Sequence, residues 1–441
     1  MQHVHTLVIG AGPTGLGAAW RLQEQHYDSW LVVEQADRPG GAAASVRDNR
    51  GFTWDLGGHV IHSHYPYFDQ ALAQSAVEWE YPQRNGFVFV ADTFVPVPLQ
   101  QNLAGLPAPL AARVVTELSQ AKRSSPAANL DEWFRLSFGQ TLTEEFFLPF
   151  NSKMWAHPPR LLDHQWTSLR SGSETSNVPP PQLGVAVVDR THFPYPRHGS
   201  GALWAAVAKQ LPAGRVRYRT SVTAIWSAAK VVELSDGTKL SYDNIISSMP
   251  LTELLPLVLW GRPPVPLLHS SAEVIGFGFD GPPPPALAEV SWVYHPDMSV
   301  PFHRATMLSN YSPAMAGPGR WSILLECGTS PTQRPLKLHS LVTDCLAVLQ
   351  QWGAGKPVST WRRHLSMGYP VPSLGRDQVL EPALHELEER NIRSRGRFGG
   401  WRYESCNQDY AFMQGVQAVD ANELGSDEDV FWPNRVPIGA S

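Results

Sequence analysis

The sequence predicts an α/β protein with a helical insert and a second, sheet-based domain. Two observations carry this prediction: an N-terminal strand, turn, helix and strand with a glycine-rich turn, and a later alternation of helical and strand-like segments. The chain has 441 residues, which is long enough for two or three domains. Its 43% hydrophobic content allows a sizeable core and excludes disorder for most of the chain.

Charge and cysteine content exclude several classes of function. A net charge of −5 does not indicate a polyanionic partner, so nucleic-acid binding is not expected. Cys327, Cys345 and Cys406 show no C-x-x-C spacing, which argues against a disulfide framework and against a thiolate zinc site. The N-terminus runs into a strand pattern, and no segment approaches about 18 apolar residues. We therefore expect a cytoplasmic protein without a membrane partner, and the oligomeric state stays open, a homo-oligomer included.

The N-terminal pattern predicts a Rossmann-like dinucleotide site. A buried strand ends at Ile9, and Gly10, Gly12 and Gly15 follow at the start of a helix. These glycines allow a tight turn, a close approach of the backbone to a pyrophosphate, and close packing of helix on strand. A second strand ends at Glu34, 19 residues after Gly15, where a carboxylate can bind ribose hydroxyls. An acid there favours FAD or NAD over NADP.

The rest of the chain divides into regions of different pattern. Residues 103–155 are predicted to be helical, and Asn129–Glu132 resembles a capping box. The composition of residues 171–192 is typical of an exposed loop that could close over a site. Strands return over residues 195–250 and 273–326, followed by helical spacing from Leu338 to Leu349. The polar tail after Asn422 is expected to fray.

Several blocks resemble known flavoproteins. The segment Pro39–Ser45 resembles the G-G-x-x-x-S segment that lies beside FAD in flavoproteins of the glutathione-reductase and amine-oxidase type, which favours FAD over NAD. Asp55–Tyr65 resembles the histidine-containing loop beside the flavin in UDP-galactopyranose mutases of the eukaryotic type. Further blocks resemble the same family in its order, so that together they span residues 8 to about 420: Pro149–Trp155, Pro301–Tyr311, Gly368–Pro370, Arg395–Tyr403 and Asn407–Gly415.

This resemblance implies a fold and an activity. The fold would be an FAD-binding Rossmann-like domain formed by residues 1–90, 193–260 and 390–441, with a helical substrate or lid domain at 100–192. An antiparallel-sheet substrate domain would comprise residues 261–389 and about 87–99. The implied activity is the interconversion of pyranose and furanose forms of a nucleotide-diphosphate sugar, of the UDP-galactopyranose/UDP-galactofuranose type. In that mechanism N5 of reduced FAD forms an adduct with the sugar, and NADPH or NADH is a candidate reductant.

The resemblance also implies roles for individual residues. Arg304 and Arg170 match arginines that bind the diphosphate, and His59 matches a histidine at the reactive edge of the flavin. Residues that match substrate contacts are Gln100, Asn151, Trp155, Tyr294, Tyr311, Tyr369, Tyr403 and Asn407. Residues assigned to FAD are Gly10, Gly12, Gly15, Glu34, Gly41, Ser45, Gly58, His59, Val222, Arg397, Gln408 and Met413. The residue types alone leave open that the arginines form solvated ion pairs and that the tyrosines belong to the core.

The chain departs from the family at positions that bear on the substrate. Val97 and Leu99 stand where family members carry aromatic residues that face the uracil. Because valine cannot stack as a ring does, we expect altered base recognition. Gln100 matches the residue that meets the uracil, so a pyrimidine should be retained, with UDP leading and dTDP tolerated. His62 replaces an aromatic residue and Tyr410 replaces a histidine, so the sugar can differ too.

Other functional classes fit the sequence less well. His59, His62 and His64 resemble a metal-binding run, but the sequence places no evident carboxylate or cysteine beside them, so no metal is expected. The sequence has no G-x-S-x-G nucleophile elbow, so a serine hydrolase is not expected. An FAD-dependent oxidase or desaturase of the amine-oxidase type remains the alternative. A non-enzymatic protein like the GDP-dissociation inhibitors would not need the intact FAD fingerprint.

Overall fold

The computed structural model describes residues 1–122, 125–169, 191–259 and 264–432. In chain order the strands are β1 (Gln2–Ile9), β2 (Trp30–Val33), β3 (Ser45–Arg47), β4 (Thr53–Asp55), β5 (Trp79–Glu80), β6 (Gly86–Val90), β7 (Thr93–Pro96), β8 (Tyr195–Pro196), β9 (Val216–Arg217), β10 (Val222–Trp226), β11 (Val231–Leu234), β12 (Lys239–Ser247), β13 (His269–Asp280), β14 (Trp292–Tyr294), β15 (Arg304–Thr306), β16 (Arg320–Thr329), β17 (Ser359–Pro370) and β18 (Ile392–Ser394).

The α-helices follow the same order. They are α1 (Pro13–Glu24), α2 (Pro66–Gln74), α3 (Ala108–Ser119), α4 (Leu130–Leu142), α5 (Leu148–Trp155), α6 (Trp166–Leu169), α7 (Ser200–Lys209), α8 (Leu251–Val258), α9 (Leu308–Tyr311), α10 (Leu341–Gln351), α11 (Arg376–Glu388), α12 (Gly396–Gly399) and α13 (Gln408–Leu424). None of the helices within the described ranges is long and apolar enough to cross a bilayer.

The first sheet contains the predicted N-terminal βαβ unit. Its strand order is β10, β11, β12, β1, β2, β9, and β18 pairs with β12. The pairs β1 with β12, β1 with β2, β2 with β9 and β12 with β18 are parallel, as the crossover through α1 requires. The strand β2 is buried along its whole length, as its unbroken apolar sequence predicts. The carboxyl ends of β1 and β2 therefore meet at one edge of the sheet.

The second sheet has the order β17, β13, β16, β15, β14, β6, β7. All neighbours are antiparallel except β14 and β6, which pair in parallel. The predicted α/β fold with a second, largely antiparallel sheet is confirmed, and the parallel pair is the one departure. Arg304 on β15 lies directly opposite Glu326 on β16 in the register.

The helical insert forms where the sequence predicts it. The side chain of Asn129 caps α4 by accepting from the Glu132 N–H at 3.0 Å. Glu132 reaches back to the Ala128 N–H at 2.7 Å, one residue before the position that a standard capping box uses. A π-helical turn, Thr143–Phe147, joins α4 to α5. The helix α5 therefore begins inside a rigid aromatic cluster that includes Phe138 and Phe147, whose rings stack at 4.4 Å.

Two close contacts set the positions of elements around the site. The helices α1 and α13 cross so tightly that a Cβ at Gly415 would lie 1.9 Å from the Thr14 carbonyl oxygen. This contact fixes the middle of α13 beside the start of α1. On β13, a Cβ at Gly276 would lie 2.4 Å from the Trp54 ring. The small residue lets the second sheet pack against the segment that precedes the histidine loop.

The segment after Asn422 contradicts the expectation of fraying over its described part. The helix α13 extends to Leu424, and Phe431 is fully buried. Glu428 is buried because Arg395 donates to it from Nε and Nη2 at 2.7 and 2.6 Å. A buried ion pair and aromatic packing, neither visible in local composition, hold this segment down.

Candidate active site

A first cavity, the glycine cavity, lies at the carboxyl ends of β1 and β2. It has a volume of about 530 Å³, and its walls include Gly10, Gly12 and Gly41. Gly10 has φ +100°, and a Cβ at Gly15 would lie 1.8 Å from the Gly10 carbonyl oxygen. The turn can therefore close only without side chains at these positions. Pro13 and Thr14 in the first turn of α1 line the cavity, so the positive end of the helix faces it, although Pro13 itself has no backbone N–H to donate.

Glu34 lies at the far end of the glycine cavity. Its Oε2 accepts from the Ala11 N–H at 2.7 Å, and its Oε1 accepts from the Ala36 N–H at 2.8 Å. These two bonds fix the direction of the carboxylate. Each oxygen keeps a further lone pair, so the group can still accept from ribose hydroxyls.

A buried carboxylate, Asp55, supports the glycine cavity from behind. It accepts from Ser45 Oγ at 2.5 Å, from Tyr195 Oη at 2.7 Å and from the Ser200 N–H at 3.1 Å. Burial raises the pKa of Asp55 to about 6, against the opposing effect of these hydrogen bonds. Ser45 does not line the cavity; its Oγ also accepts from the Gly201 N–H at 2.7 Å.

A second cavity, the arginine cavity, adjoins the first. It has a volume of about 420 Å³, and three guanidinium groups and one carboxylate lie in its described walls: Arg84, Arg304, Arg397 and Glu326. Five residues line both cavities: Ala42, His59, Arg397, Cys406 and Gln408. A planar group that reaches the end of the glycine cavity would therefore present one edge to the contents of the arginine cavity.

His59 and Gln408 are the polar groups at this junction. Burial, together with the nearby charge of Arg397, lowers the pKa of His59 to about 4, so the ring is neutral at neutral pH. Its Nε2 lies 3.0 Å from the Ala42 carbonyl oxygen and must carry the proton. Gln408 Oε1 accepts from Trp204 Nε1 at 2.6 Å, and its buried Nε2 has no partner among the described residues.

Arg304 and Glu326 form a bidentate pair inside the arginine cavity. The Nε and Nη2 of Arg304 donate to the two carboxylate oxygens at 2.6 and 2.9 Å. Glu326 also accepts from the Gly58 N–H at 3.0 Å and from Tyr369 Oη at 3.5 Å. Burial disfavours the carboxylate, but the charge and hydrogen bonds of Arg304 outweigh it and lower the pKa of Glu326 to about 2. The pair is therefore ionised at neutral pH.

The predicted tyrosines and Asn151 also line this cavity. Burial raises the pKa of Tyr311 and of Tyr369, so both phenols keep their protons and can donate. Asn151 Nδ2 donates to the Phe147 carbonyl at 2.8 Å, and its Oδ1 accepts from Trp155 Nε1 at 3.0 Å. Trp155 itself is fully buried and does not line the cavity. It orients the amide of Asn151 instead.

The histidine run does have a carboxylate partner, contrary to the sequence-based interpretation. His64 Nδ1 lies 2.6 Å from Asp409 Oδ2, 345 residues away in the chain. Long-range pairing of this kind leaves no local signal. Within the described ranges, no group of three His, Cys, Asp or Glu residues is arranged to hold a metal ion.

The structure brings most of the predicted site residues together. The predicted substrate contacts that line the arginine cavity are Gln100, Asn151, Tyr294, Tyr311, Tyr369, Tyr403 and Asn407, together with Arg304 and His59. The predicted cofactor residues that line the glycine cavity are Gly10, Gly12, Glu34, Gly41, His59, Val222, Arg397 and Gln408. Gly58 lines the arginine cavity instead. Gly15, Ser45 and Met413 line neither cavity, and Arg170 lies outside the described residues.

Sequence reasoning missed Glu326, Arg84 and Asp55. Glu326 lies opposite Arg304 only because of the β15–β16 register, which no local pattern encodes. The Arg84 guanidinium lies 5.5 Å from the centre of the Trp292 ring and lines the arginine cavity. The sequence signal that could have pointed to Asp55 is its place at the start of the segment Asp55–Tyr65, which resembles the histidine-containing loop of the family.

Comparison with known proteins decides the family. A family model described as flavin containing amine oxidoreductase matches residues 13–310. The crystal structure of a reduced UDP-galactopyranose mutase shares 36% sequence identity, covers 98% of this chain and 96% of that chain, and superposes with a TM-score of 0.91. The chain belongs to the UDP-galactopyranose mutase family of flavin-containing amine oxidoreductases.

Two other solved structures share the fold alone. A protein assigned as a protoporphyrinogen oxidase, from Exiguobacterium sp. 255-15, has 16% identity, 97% coverage of this chain, 100% coverage of its own and a TM-score of 0.74. The cyclohexylamine oxidase from Brevibacterium oxydans IH-35A has 15% identity, 96% and 100% coverage and a TM-score of 0.71. The second sheet and helical insert therefore occur on a scaffold that the mutase family shares with amine oxidases.

FAD is the cofactor of this mutase-family chain, and the residues of the glycine cavity fit it. A side chain at Gly15 would collide with the Gly10 carbonyl. Glycine there allows the tight turn that brings a pyrophosphate close to the N-terminus of α1. The unpartnered Nε2 of Gln408 offers a donor at the junction, where the flavin ring would end. The sequence-based prediction of the family and of FAD is confirmed, while the roles of individual site residues remain predictions.

Proposed function

We propose that this protein is an FAD-dependent mutase that interconverts pyranose and furanose forms of a nucleotide-diphosphate sugar, of the UDP-galactopyranose/UDP-galactofuranose type. The observation that carries the proposal is the junction of the two cavities at His59, Arg397 and Gln408. It gives a ligand of the arginine cavity direct access to the edge of a flavin. The similarity to the reduced mutase over 98% of the chain supports this proposal.

Reduced FAD, when bound, supplies a nucleophilic ring nitrogen that can take the place of the leaving nucleotide diphosphate. The chain's own residues bind and orient the substrate. The two hydrogen bonds to Glu326 preorganise the Arg304 guanidinium. Its remaining N–H groups can donate to the diphosphate with little further loss of side-chain entropy. Tyr369 lines the same region, and its phenol can donate to the diphosphate without adding charge, in place of its long contact with Glu326. These groups would stabilise negative charge on the departing diphosphate.

Charge favours an anionic substrate over an amine. The described walls of the arginine cavity hold three guanidinium groups against one carboxylate. A substrate ammonium group would meet like charge there, whereas a diphosphate would meet opposite charge. This balance favours the mutase over the amine-oxidase alternative.

The base-binding end of the cavity supports a pyrimidine diphosphate. Val97 and Leu99 are buried and present aliphatic surface to the cavity, and Gln100 lies beside them in its wall. An amide can donate to and accept from the edge of a pyrimidine. Because no ring occupies position 97, room remains for the 5-methyl group of thymine. We therefore propose UDP as the leading nucleotide, with dTDP accepted.

Two further properties are proposals of the same kind. NADPH or NADH is the proposed source of electrons for FAD. A cytoplasmic location is proposed because all three cysteines are free thiols, which is usual for proteins of a reducing compartment.

The proposal is tested by incubating dithionite-reduced, FAD-loaded protein with a panel of UDP-, dTDP- and GDP-sugars and separating the ring forms chromatographically. The expected result is interconversion of pyranose and furanose forms with UDP-galactose, and with dTDP sugars at a comparable or lower rate. Failure of every member of the panel to change ring form, with FAD bound and reduced, would contradict it. Steady consumption of oxygen with an amine would establish the oxidase instead.

A further inference from the structure

Lys153 is a fully buried lysine on α5, the helix that contributes Phe150, Asn151 and Met154 to the arginine cavity. Lysine is rarely buried completely unless it is paired. Within the described residues, no carboxylate lies within 4.0 Å of its Nζ. The Nζ instead donates to the carbonyl oxygens of His295 and Asp297, both at 2.7 Å.

These two carbonyls belong to the turn that follows β14. That strand contributes Trp292 and Tyr294 to the wall of the cavity next to α5, where the Phe150 and Tyr294 rings lie 4.9 Å apart. The turn is closed by backbone hydrogen bonds from His295 N–H to the His303 carbonyl and from His303 N–H to the Glu326 carbonyl, both at 2.9 Å. The chain then enters β15 at Arg304. Lys153 is therefore bonded to the segment that connects two substrate-facing strands.

The helix also contacts the strand that carries Glu326. A Cβ at Gly328 would lie 2.2 Å from the Lys153 carbonyl oxygen and 2.8 Å from the Met154 carbonyl oxygen. Backbone thus meets backbone, and α5 cannot move toward β16. With the ammonium on one side and this contact on the other, α5 is clamped between β16 and the turn after β14.

A packing role alone does not account for the lysine. Burial, with the charge of Arg334 nearby, lowers the pKa of Lys153 to about 7, so the ammonium is disfavoured at this position. A methionine of similar length would fill the same space without this desolvation. What only the lysine supplies is a set of donors for the two carbonyls.

We propose that Lys153 is a positioning residue that fixes the spacing between the Asn151 wall and the Tyr294 and Arg304 wall, and thereby sets the affinity for the nucleotide-diphosphate sugar. This inference rests on the proposed function for its substrate. Lys153 does not line the cavity, so it acts through the residues on either side of it.

The test compares full-length, FAD-loaded, reduced wild type with Lys153→Met, and uses Lys239→Met, at an exposed surface lysine, as the matched control. With UDP-galactofuranose as the probe, Lys153→Met should raise KM about tenfold and keep kcat within about threefold, because contacts are misplaced while the flavin junction is intact. The FAD content should not change. Lys239→Met should match wild type in KM, kcat and FAD content.

Hydrogen exchange provides a second readout that does not need turnover. In Lys153→Met the backbone amides of His295 and His303 should exchange faster, while those of β1 and β2 should not. If wild type converts no nucleotide sugar, the proposed function fails, and this exchange pattern alone decides the positioning role. Unchanged protection of the turn overturns the inference.

A variant on β16, which contacts the other side of α5, keeps the inference testable if Lys153→Met does not fold. Gly328→Ala should displace α5, and Lys153 with it, from β16 while the lysine side chain is retained, and it should also raise KM with little change in kcat. A folded, FAD-loaded sample of either variant with the KM of wild type would overturn the inference. So would a fall in kcat at unchanged KM, which a general loss of structure would produce.

Discussion

The glycine cavity and the arginine cavity share five wall residues, yet they are built differently. The first is shaped by backbone: a turn through Gly10 and Gly15, and a helix N-terminus, all within one short stretch of chain. The second is shaped largely by side chains that come from the second sheet, the helical insert, the loop at residues 56–64 and the segment before α13. A site made of backbone depends on the absence of side chains, whereas a site made of side chains depends on how they are paired.

Two buried carboxylates make the contrast concrete. Asp55, behind the glycine cavity, has hydroxyl and amide donors but no cation, and burial raises its pKa to about 6. Glu326, in the arginine cavity, is also buried, but Arg304 lowers its pKa to about 2. The same chemical group thus takes up a proton near pH 6 behind one cavity and stays ionised down to about pH 2 in the other. The carboxylate whose charge least depends on pH is the one that holds Arg304, where we propose that the diphosphate binds.

The largest expected effect is the loss of FAD from Gly15→Ala, because all flavin-dependent activity is lost with the cofactor. The new Cβ would lie 1.8 Å from the Gly10 carbonyl oxygen, a backbone atom that cannot rotate away as a flexible side chain could. FAD bound per protein, measured by absorbance after desalting, should fall at least about tenfold. Gly355→Ala is the matched control, since nothing lies within 4 Å of its added Cβ. A fully yellow Gly15→Ala protein would show that the turn does not depend on glycine.

The next largest effect is on stability and concerns Asp55. Because the folded-state pKa of about 6 lies above the ordinary value of 3.8, the folded state holds the proton more tightly. The stabilisation from this proton is complete below pH 3.8 and is lost as the pH rises through 6, by up to about 3 kcal/mol. Denaturant unfolding at pH 4.5 and 6.5 should show this loss in wild type and a smaller one in Asp55→Asn. Identical pH dependence in the two proteins would contradict the raised pKa.

Arg304→Ala should lower kcat/KM at least about 100-fold, because a charge-assisted contact to a departing diphosphate is removed. The FAD content should stay at the wild-type level, since Arg304 does not line the glycine cavity. Arg362→Ala is the control: it removes a similar pair, with Glu273 at 2.9 Å on the same sheet, outside either cavity. Activity of Arg304→Ala within about threefold of wild type would leave the arginine a structural role only.

The smallest expected effect is on base recognition. Val97→Tyr should tighten UDP binding by about 1 kcal/mol, the low end of the range for base stacking, because a ring would stack on the base. Val97→Ile, which adds bulk without a ring, should leave UDP affinity close to that of wild type. Competition between UDP, dTDP and GDP for the reduced enzyme measures both effects. A tenfold preference of wild type for GDP would refute the pyrimidine assignment.

The two cavities also differ in how far the sequence predicted them. Gly10, Gly12 and Glu34 were found because their function depends on local spacing along one βαβ unit. Arg304 and the tyrosines were found only through resemblance to a family. Glu326 was missed because its partner faces it through strand register, and Asp409 was missed because it meets His64 from the other end of the chain.

Partners that are distant in the chain also explain two other differences between expectation and structure. Trp155 and Ser45 are predicted ligand contacts, but neither lines a cavity: Trp155 donates to Asn151, and Ser45 accepts from the Gly201 N–H. The segment after Asn422 was expected to fray because it is polar, yet Arg395 pairs with Glu428 and holds it. Local composition does not reveal a partner that only the folded chain supplies.

The most direct test of the account is a single anaerobic sample measured before and after reduction. The account predicts that UDP-galactopyranose and UDP-galactofuranose interconvert only once the flavin is reduced, and that the flavin is still fully reduced when equilibrium is reached. This outcome requires both cavities to act together without net electron transfer. Equal conversion by the oxidised enzyme, or oxidation of the flavin in proportion to product, would contradict it.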